Sequence, residues 1–225
     1  MGGYDVTGPL LPWGESVTIP TSAIPKILDD DFSARGRGRP RDEVARQRIL
    51  SAALELLEDT AYAQVTTEAI AERAGASKAT IYRWWPNKAA VLIEAFREAV
   101  IPELPFPDTG SLREDVRLQL RNFVRMLNGR RGRIFGAFLA ASQNDPEVGT
   151  AFRLHWIKPR RHEAKVRLER SQERGVLRKD VDLDHVLDLM YGPIYFRLLV
   201  GHGPLSCAFA DSLAAMALEG IIEKR

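Results

Sequence analysis

Apolar positions along this chain recur in threes and fours, with no strand-like alternation of useful length. Between Asp42 and Asp59 they fall at Ile49, Ala52, Ala53, Leu56 and Leu57, the i, i+3, i+4, i+7, i+8 series that lines one side of an α-helix. Asp42 suits its N-cap. A second, short helix follows, capped by Thr66 or Thr67 and carrying Ala69, Ile70 and Arg73; Gly75 suits its left-handed exit. Ser77 caps a third helix that Pro86 stops. Asn87 starts a fourth through Val91, Leu92, Ala95 and Phe96, which Pro102, Pro105 and Pro107 end. Beyond these, the pattern predicts helices near 112–128, 132–142, 146–174, 183–200 and 206–223, punctuated by Gly110, Asn144 to Pro146, Gly175 and Gly201 to Pro204. The expected fold is all-α with about nine helices. A small N-terminal three-helix head at 42–88 is joined by a linking helix at 89–104 to a larger helical domain at 105–225.

The head is preceded by chain of a different kind. Residues 1–34 show no helical period, are broken by glycine and proline, and carry five acids against one lysine. They read as a disordered acidic tail. The sign then flips in "RGRGRPR" at 35–41, a flexible basic arm. Arg37 and Arg39 on such an arm suit a DNA minor groove, although a solvated linker has the same composition.

Overall composition narrows the function mainly by exclusion. The 225 residues have a net charge of only +2, so global charge names no partner. Cys207 is the sole cysteine, which leaves no internal disulfide and too few thiolates for a structural zinc site. His155, His162, His185 and His202 are scattered, and neither a phosphate loop nor a nucleophile elbow is present, so neither an enzyme, a metal site nor a cofactor is expected. No apolar run reaches membrane-spanning length and no secretory leader is apparent, so the expected location is cytoplasmic.

The stretch with the most chemistry is "SKATIYRWWPNK" at 77–88. Ile81 and Trp85 are i, i+4 neighbours that can anchor a short helix on the first helix's apolar stripe. The opposite rows carry Lys78 and Tyr82, then Ala79 and Arg83, flanked by Thr80 and Trp84. Ala79 allows close approach to base edges, and Lys78 and Arg83 can donate to guanine O6 and N7. Tyr82, Thr80 and Trp84 can donate to phosphates. Lys88 adds an ammonium to the N-terminal amides of the next helix, which favour an anion. Two helices joined by "AGAS" make a helix-turn-helix whose second member enters a major groove, and Thr66, Thr67 and Ser77 join the candidate contacts.

On these residues, "ILSAALELLEDTAYAQVTTEAIAERAGASKATIYRWWPNKAAVLIEAF" at 49–96 resembles the DNA-binding domain of the TetR family of one-component transcriptional regulators. The matching positions are Thr66, Ile70, Ala71, Ala74, Gly75, Ser77, Thr80, Ile81, Tyr82, Trp84, Trp85, Asn87 and Lys88. Trp85 departs from the phenylalanine common there. The resemblance implies a sequence-specific regulator, most simply a homodimeric repressor released from a palindromic operator by a small-molecule ligand. A constitutive architectural DNA binder shares the motif and stays open.

The resemblance also assigns two tasks to the C-terminal half. The last two helices carry Leu187, Met190, Ile194 and Leu198, then Phe209, Leu213 and Met216, which it implies form a dimer interface; periodicity alone allows simple core packing equally. Pro193 should kink the first of them. A ligand pocket among the other helices would be lined by Phe123, Met126, Leu127, Phe135, Phe138, Phe152, His155 and Trp156, joined by Tyr191 and Tyr195, and would take an apolar or aromatic molecule. Residues 153–179 hold ten Lys/Arg against three Glu. This run reads first as a solvated helix face and secondly as a receiver for an anionic ligand such as an acyl-CoA or a carboxylate.

Overall fold

In the computed structural model the chain is described over residues 40–219 and at residue 222, with side chains from residue 43 onward. The expected tail at 1–34 and Arg37 and Arg39 of the arm lie outside the described residues; α1 begins at Pro40, so Asp42 falls inside the helix and is not its N-cap. The described part is built of helices: α1 Pro40–Asp59, α2 Thr67–Ala74, α3 Lys78–Trp84, α4 Lys88–Val100, α5 Leu112–Asn128, α6 Arg130–Asn144, α7 Pro146–Phe152, α8 Lys158–Glu173, α9 Leu183–Val200 and α10 Cys207–Glu219. Short 3-10 turns lie between α1 and α2 at Tyr62–Gln64 and after α4 at Ile101–Glu103. A π-helical turn, Arg153–Ile157, fuses α7 to α8, so the rods number nine among the described residues.

Local chemistry sets most of these boundaries. Thr66 Oγ1 accepts the Ala69 N–H at 3.1 Å, Ser77 Oγ that of Thr80 at 3.1 Å, and Asn87 Oδ1 that of Ala90 at 2.9 Å. Asp145 and Asp182 cap α7 and α9 in the same way. Each cap satisfies a backbone donor that the first helical turn leaves without a partner. Gly75 ends α2 at φ 59°, a left-handed conformation costly for any residue with a Cβ. Gly132 answers a different demand, because a Cβ there would lie 1.7 Å from the Leu127 carbonyl oxygen where α6 turns back on α5.

One expectation changes. The segment 146–174 is not one regular α-helix. Pro159 has no N–H to give the His155 carbonyl, and the ladder slips into π geometry directly before it. The slip lets Trp156 face the core while His155 faces α4. α9 continues as one helix through Pro193 and stops at Gly201, φ 67°.

A continuous apolar core extends from Ile49 to Leu218. In the head, Ile49, Ala53, Ile70, Ile81 and Trp85 are buried together. α4 packs on α1 and also on α7 and the π turn, so it joins the head to the rest. No helix among the described residues is long and apolar enough to cross a membrane.

Candidate nucleic-acid interface

α3 has only seven residues, too few to hold its own shape in water. It is held by its buried side. Ile81 and Trp85 are essentially inaccessible, buried in the apolar core that also holds Ile49, Ala53 and Ile70. The remaining rows are left outward: Ser77, Lys78, Ala79, Tyr82 and Arg83 are all exposed. Lys78 Nζ donates to Glu68 Oε1 at 2.7 Å, an exposed pair linking α3 to α2. That hydrogen bond raises the Lys78 ammonium and lowers the Glu68 carboxyl from their ordinary values. The Arg83 guanidinium lies 5.9 Å from the Trp84 ring centre. Lys88 stands at the start of α4 with its ammonium 4.9 Å from the Tyr62 ring centre.

Two expected contacts need correction. Thr67 is buried, and its hydroxyl faces the Tyr82 hydroxyl at 3.5 Å, so it steadies Tyr82 from below while Thr66 takes the cap. Trp84 is half-buried, tilted against Trp85 with ring centres 6.3 Å apart, and its indole N–H is covered by protein. It is not open to a phosphate. Thr67 lies on the side of α2 that Tyr82 of α3 covers, and Trp84 ends α3 beside the buried Trp85. Thr66, Ser77, Lys78, Ala79, Tyr82 and Arg83 are on the accessible side, with Thr80 and Lys88 half-exposed at its edge.

Behind α3 lies a polar junction that the periodicity did not reveal. Trp85 Nε1 donates to Glu94 Oε2 at 2.7 Å, and His155 Nδ1 lies 3.3 Å from the same oxygen. Arg46 of α1 donates to Glu98 at 2.6 Å and also to Glu94. Burial alone would push the Glu94 carboxyl up. The hydrogen bonds from His155, Trp85 and Arg46, with the charge on Arg46, outweigh it and pull the group down to about 2. One carboxylate thus ties α1, the end of α3, α4 and the π turn together. A sequence signal existed in Arg46, Glu94 and Glu98 on predicted helices, but nothing in their spacing paired them.

Comparison with known proteins places this geometry. Residues 49–95 match the family model described as bacterial regulatory proteins, tetR family, and residues 106–217 match the tetracyclin repressor-like C-terminal domain. The HTH-type transcriptional regulator YdeS of Bacillus subtilis is 40% identical over 185 residues, covering 82% of this chain and 93% of its own. The chain belongs to the TetR family of transcriptional regulators. A solved TetR family transcription regulator, SCO0332, superposes with a TM-score of 0.72 at 38% identity, over 78% of this chain and 97% of that one. The DNA-binding transcriptional repressor TetR of Mycobacteroides abscessus is 30% identical over 175 residues, covering 77% of this chain and 91% of its own. As in the TetR family generally, the chain is a DNA-binding transcription regulator of all-α fold, with an N-terminal helix-turn-helix and a helical C-terminal domain.

In the C-terminal part of this TetR protein, the expected pocket residues form core. Phe135 sits at the centre of the aromatic cluster, 5.2 Å from Trp156, 5.6 Å from Phe152, 5.8 Å from Phe123 and 5.9 Å from Tyr195, ring centre to ring centre. Phe138 packs on Phe96 at 5.7 Å, and Tyr191 on Phe123 at 5.8 Å. Leu127 is buried and Met126 half-buried. Burial pushes the Tyr191 hydroxyl up to about 12 and raises that of Tyr195 further. His155 is turned to Glu94. The rings pack edge to face on one another, and none of these ten residues borders the cavity of about 570 Å³ at the start of α5. That cavity opens where the chain changes direction, at the Phe106–Gly110 approach to α5 and the turn after α8, and it reaches Leu187 and Met190 of α9. Gln119, buried in its wall, donates to the Pro105 carbonyl at 2.9 Å and accepts from Arg160 at 2.8 Å. The Arg160 guanidinium lies 4.3 Å from the centre of the Phe106 ring.

The expected dimer residues divide. Leu187, Met190, Ile194 and Leu213 are buried within their own chain, so they are core, while Leu198 and Phe209 are half-buried. Only Met216 is open, at 63% exposure. The outward apolar stripe of α9 is instead Leu189, Phe196, Leu199 and Val200, each more than half exposed. A helix with apolar residues on both its inner and its outer side gives no period from which to tell the two apart.

Proposed function

We propose that this protein is a homodimeric repressor, in which α3 of each protomer reads one half of a palindromic operator and a small molecule bound in the C-terminal domain releases it. The reading rests on one observation above all: the outward face of α3 carries Lys78, Ala79, Tyr82 and Arg83, while Ile81 and Trp85 fix its orientation from below. Cationic donors around a small residue are what base edges in a major groove accept. The Mycobacteroides abscessus relative is a transcriptional repressor, which favours repression over activation.

Dimerisation is supported by the stripe of Leu189, Phe196, Leu199 and Val200 beside Met216. Such a patch is seldom left in water. A two-fold partner presenting the same stripe would cover it and set the half-site spacing. The division of labour follows: residues 42–88 as reading head, 89–104 as link and 105–225 as sensing and dimerising domain, with the Arg37 and Arg39 arm reaching the adjacent minor groove. For release, the Glu94 junction is the physical route. The π turn holds His155 against Glu94, Glu94 holds Trp85, and Trp85 is the last anchor of α3. A ligand shifts this equilibrium only as far as it favours one arrangement over the other.

The test is selection of binding sites from random duplex DNA by the purified protein at physiological salt. An inverted repeat bound by two protomers is expected. Binding that tracks salt alone, with no motif recovered, would replace this reading with the ligand-independent architectural one.

A further inference from the structure

We propose that the cavity between the start of α5, the end of α8 and α9 binds an amphipathic carboxylate, its apolar body inside and its anionic head at the rim. The proposal rests on the ligand-released reading above and names the chemistry of the ligand. At about 570 Å³ the space falls within the roughly 300–1,000 Å³ of small-molecule sites. Its floor is apolar and comes from three helices, with Val116 from α5, Leu168 from α8 and Leu187 and Met190 from α9, all buried. A polar ligand body would find few partners there.

The rim has the opposite character. Arg113 stands in the first turn of α5, and Arg167, Arg170 and Arg174 follow one face of α8 into its end. The two acids in the wall are engaged: Asp108 pairs with Arg167, and Asp115 accepts both the N–H and the hydroxyl of Thr109 at 2.7 Å. Arg113, Arg170 and Arg174 have no hydrogen bond or ion pair from their side chains among the described residues. Three guanidinium groups with no ion-pair partner among the described residues therefore surround the mouth of an apolar hollow. A carboxylate at that level keeps water and gains planar donors matched to its geometry, while its hydrocarbon leaves water. A cationic head meets repulsion at the same place, and a neutral one gains nothing from the arginines.

The probes are decanoate and 1-decanol, which share a chain and differ in the head, titrated calorimetrically into the full-length protein. Decanoate should bind saturably and more tightly than decanol. The triple variant Arg113→Ala, Arg170→Ala, Arg174→Ala removes only exposed side chains, so it should fold; it should weaken decanoate at least tenfold and leave decanol unchanged. Val176→Trp, at an exposed position of the lining, should block both. Equal affinity for the two probes, or decanoate binding indifferent to the triple variant or to Val176→Trp, overturns the proposal, as does absence of saturable binding to the native protein. Site selection on DNA is read separately. An inverted repeat recovered by a protein that ignores decanoate sinks the anion site alone, and loss of the repeat sinks the regulator reading whatever decanoate does.

Discussion

Replacing Glu94 by glutamine tests the junction behind α3 directly. The substitution keeps the shape and an oxygen acceptor for Trp85 Nε1, and removes the charge that Arg46 and His155 face. The depression of the carboxyl from 4.5 to about 2, at about 1.4 kcal/mol per unit, bounds its contribution to stability at about 3.5 kcal/mol. Partial hydration and the neighbouring Glu98, which still pairs with Arg46, bring the expected loss at pH 7 to roughly 2 kcal/mol. The sign with pH is fixed by linkage. A carboxyl lowered in the folded state contributes fully above its unfolded value of 4.5 and loses that contribution as pH falls toward about 2. Urea unfolding of both proteins at pH 7, 5 and 4 should therefore show a gap that is constant down to about pH 5 and narrows at pH 4. DNA affinity of the glutamine variant should fall too, because α3 loses the charged end of its anchor. A gap independent of pH, or no gap at all, would refute the idea that the charge on Glu94 holds the head in place.

Three further outcomes are expected. Lys78→Ala should relax sequence preference in a site-selection experiment and weaken the preferred site on the order of tenfold or more; an unchanged motif would move base reading off this residue. Phe196→Glu should yield a folded monomer by sedimentation, with the native helical signal retained, whereas Leu187→Glu should fail to fold, because Phe196 is 58% exposed and Leu187 is fully buried; a dimeric Phe196→Glu protein would remove that stripe from the interface. Phe135→Ala should cost about 3–5 kcal/mol in chemical denaturation, as truncation of a ring in a packed core does; a mild effect would mean that the aromatic cluster encloses usable space after all.

The sequence by itself determined the helices, their caps and the reading helix. Those features depend on residues within one or two turns of each other: Thr66, Ser77 and Asn87 cap the amides three residues on, and the i, i+4 pair of Ile81 and Trp85 orients α3. The family motif was legible for the same reason, since its positions are fixed by one short supersecondary unit. What needed tertiary structure was any property depending on which helix lies opposite. Apolar residues recur on both the inner and the outer side of α9, so its pattern could not separate Leu187 and Ile194, which face the core, from Leu189 and Phe196, which face out. The aromatic positions read as pocket because rings suit both a ligand and one another, and only their mutual packing around Phe135 decided it. The cavity itself lies between chain segments far apart in sequence, around residues 106–119, 164–176 and 187–190. Glu94 joins Arg46, Trp85 and His155 for the same reason: ion pairing depends on distance in space, and periodicity records only the direction in which each residue leaves its own helix.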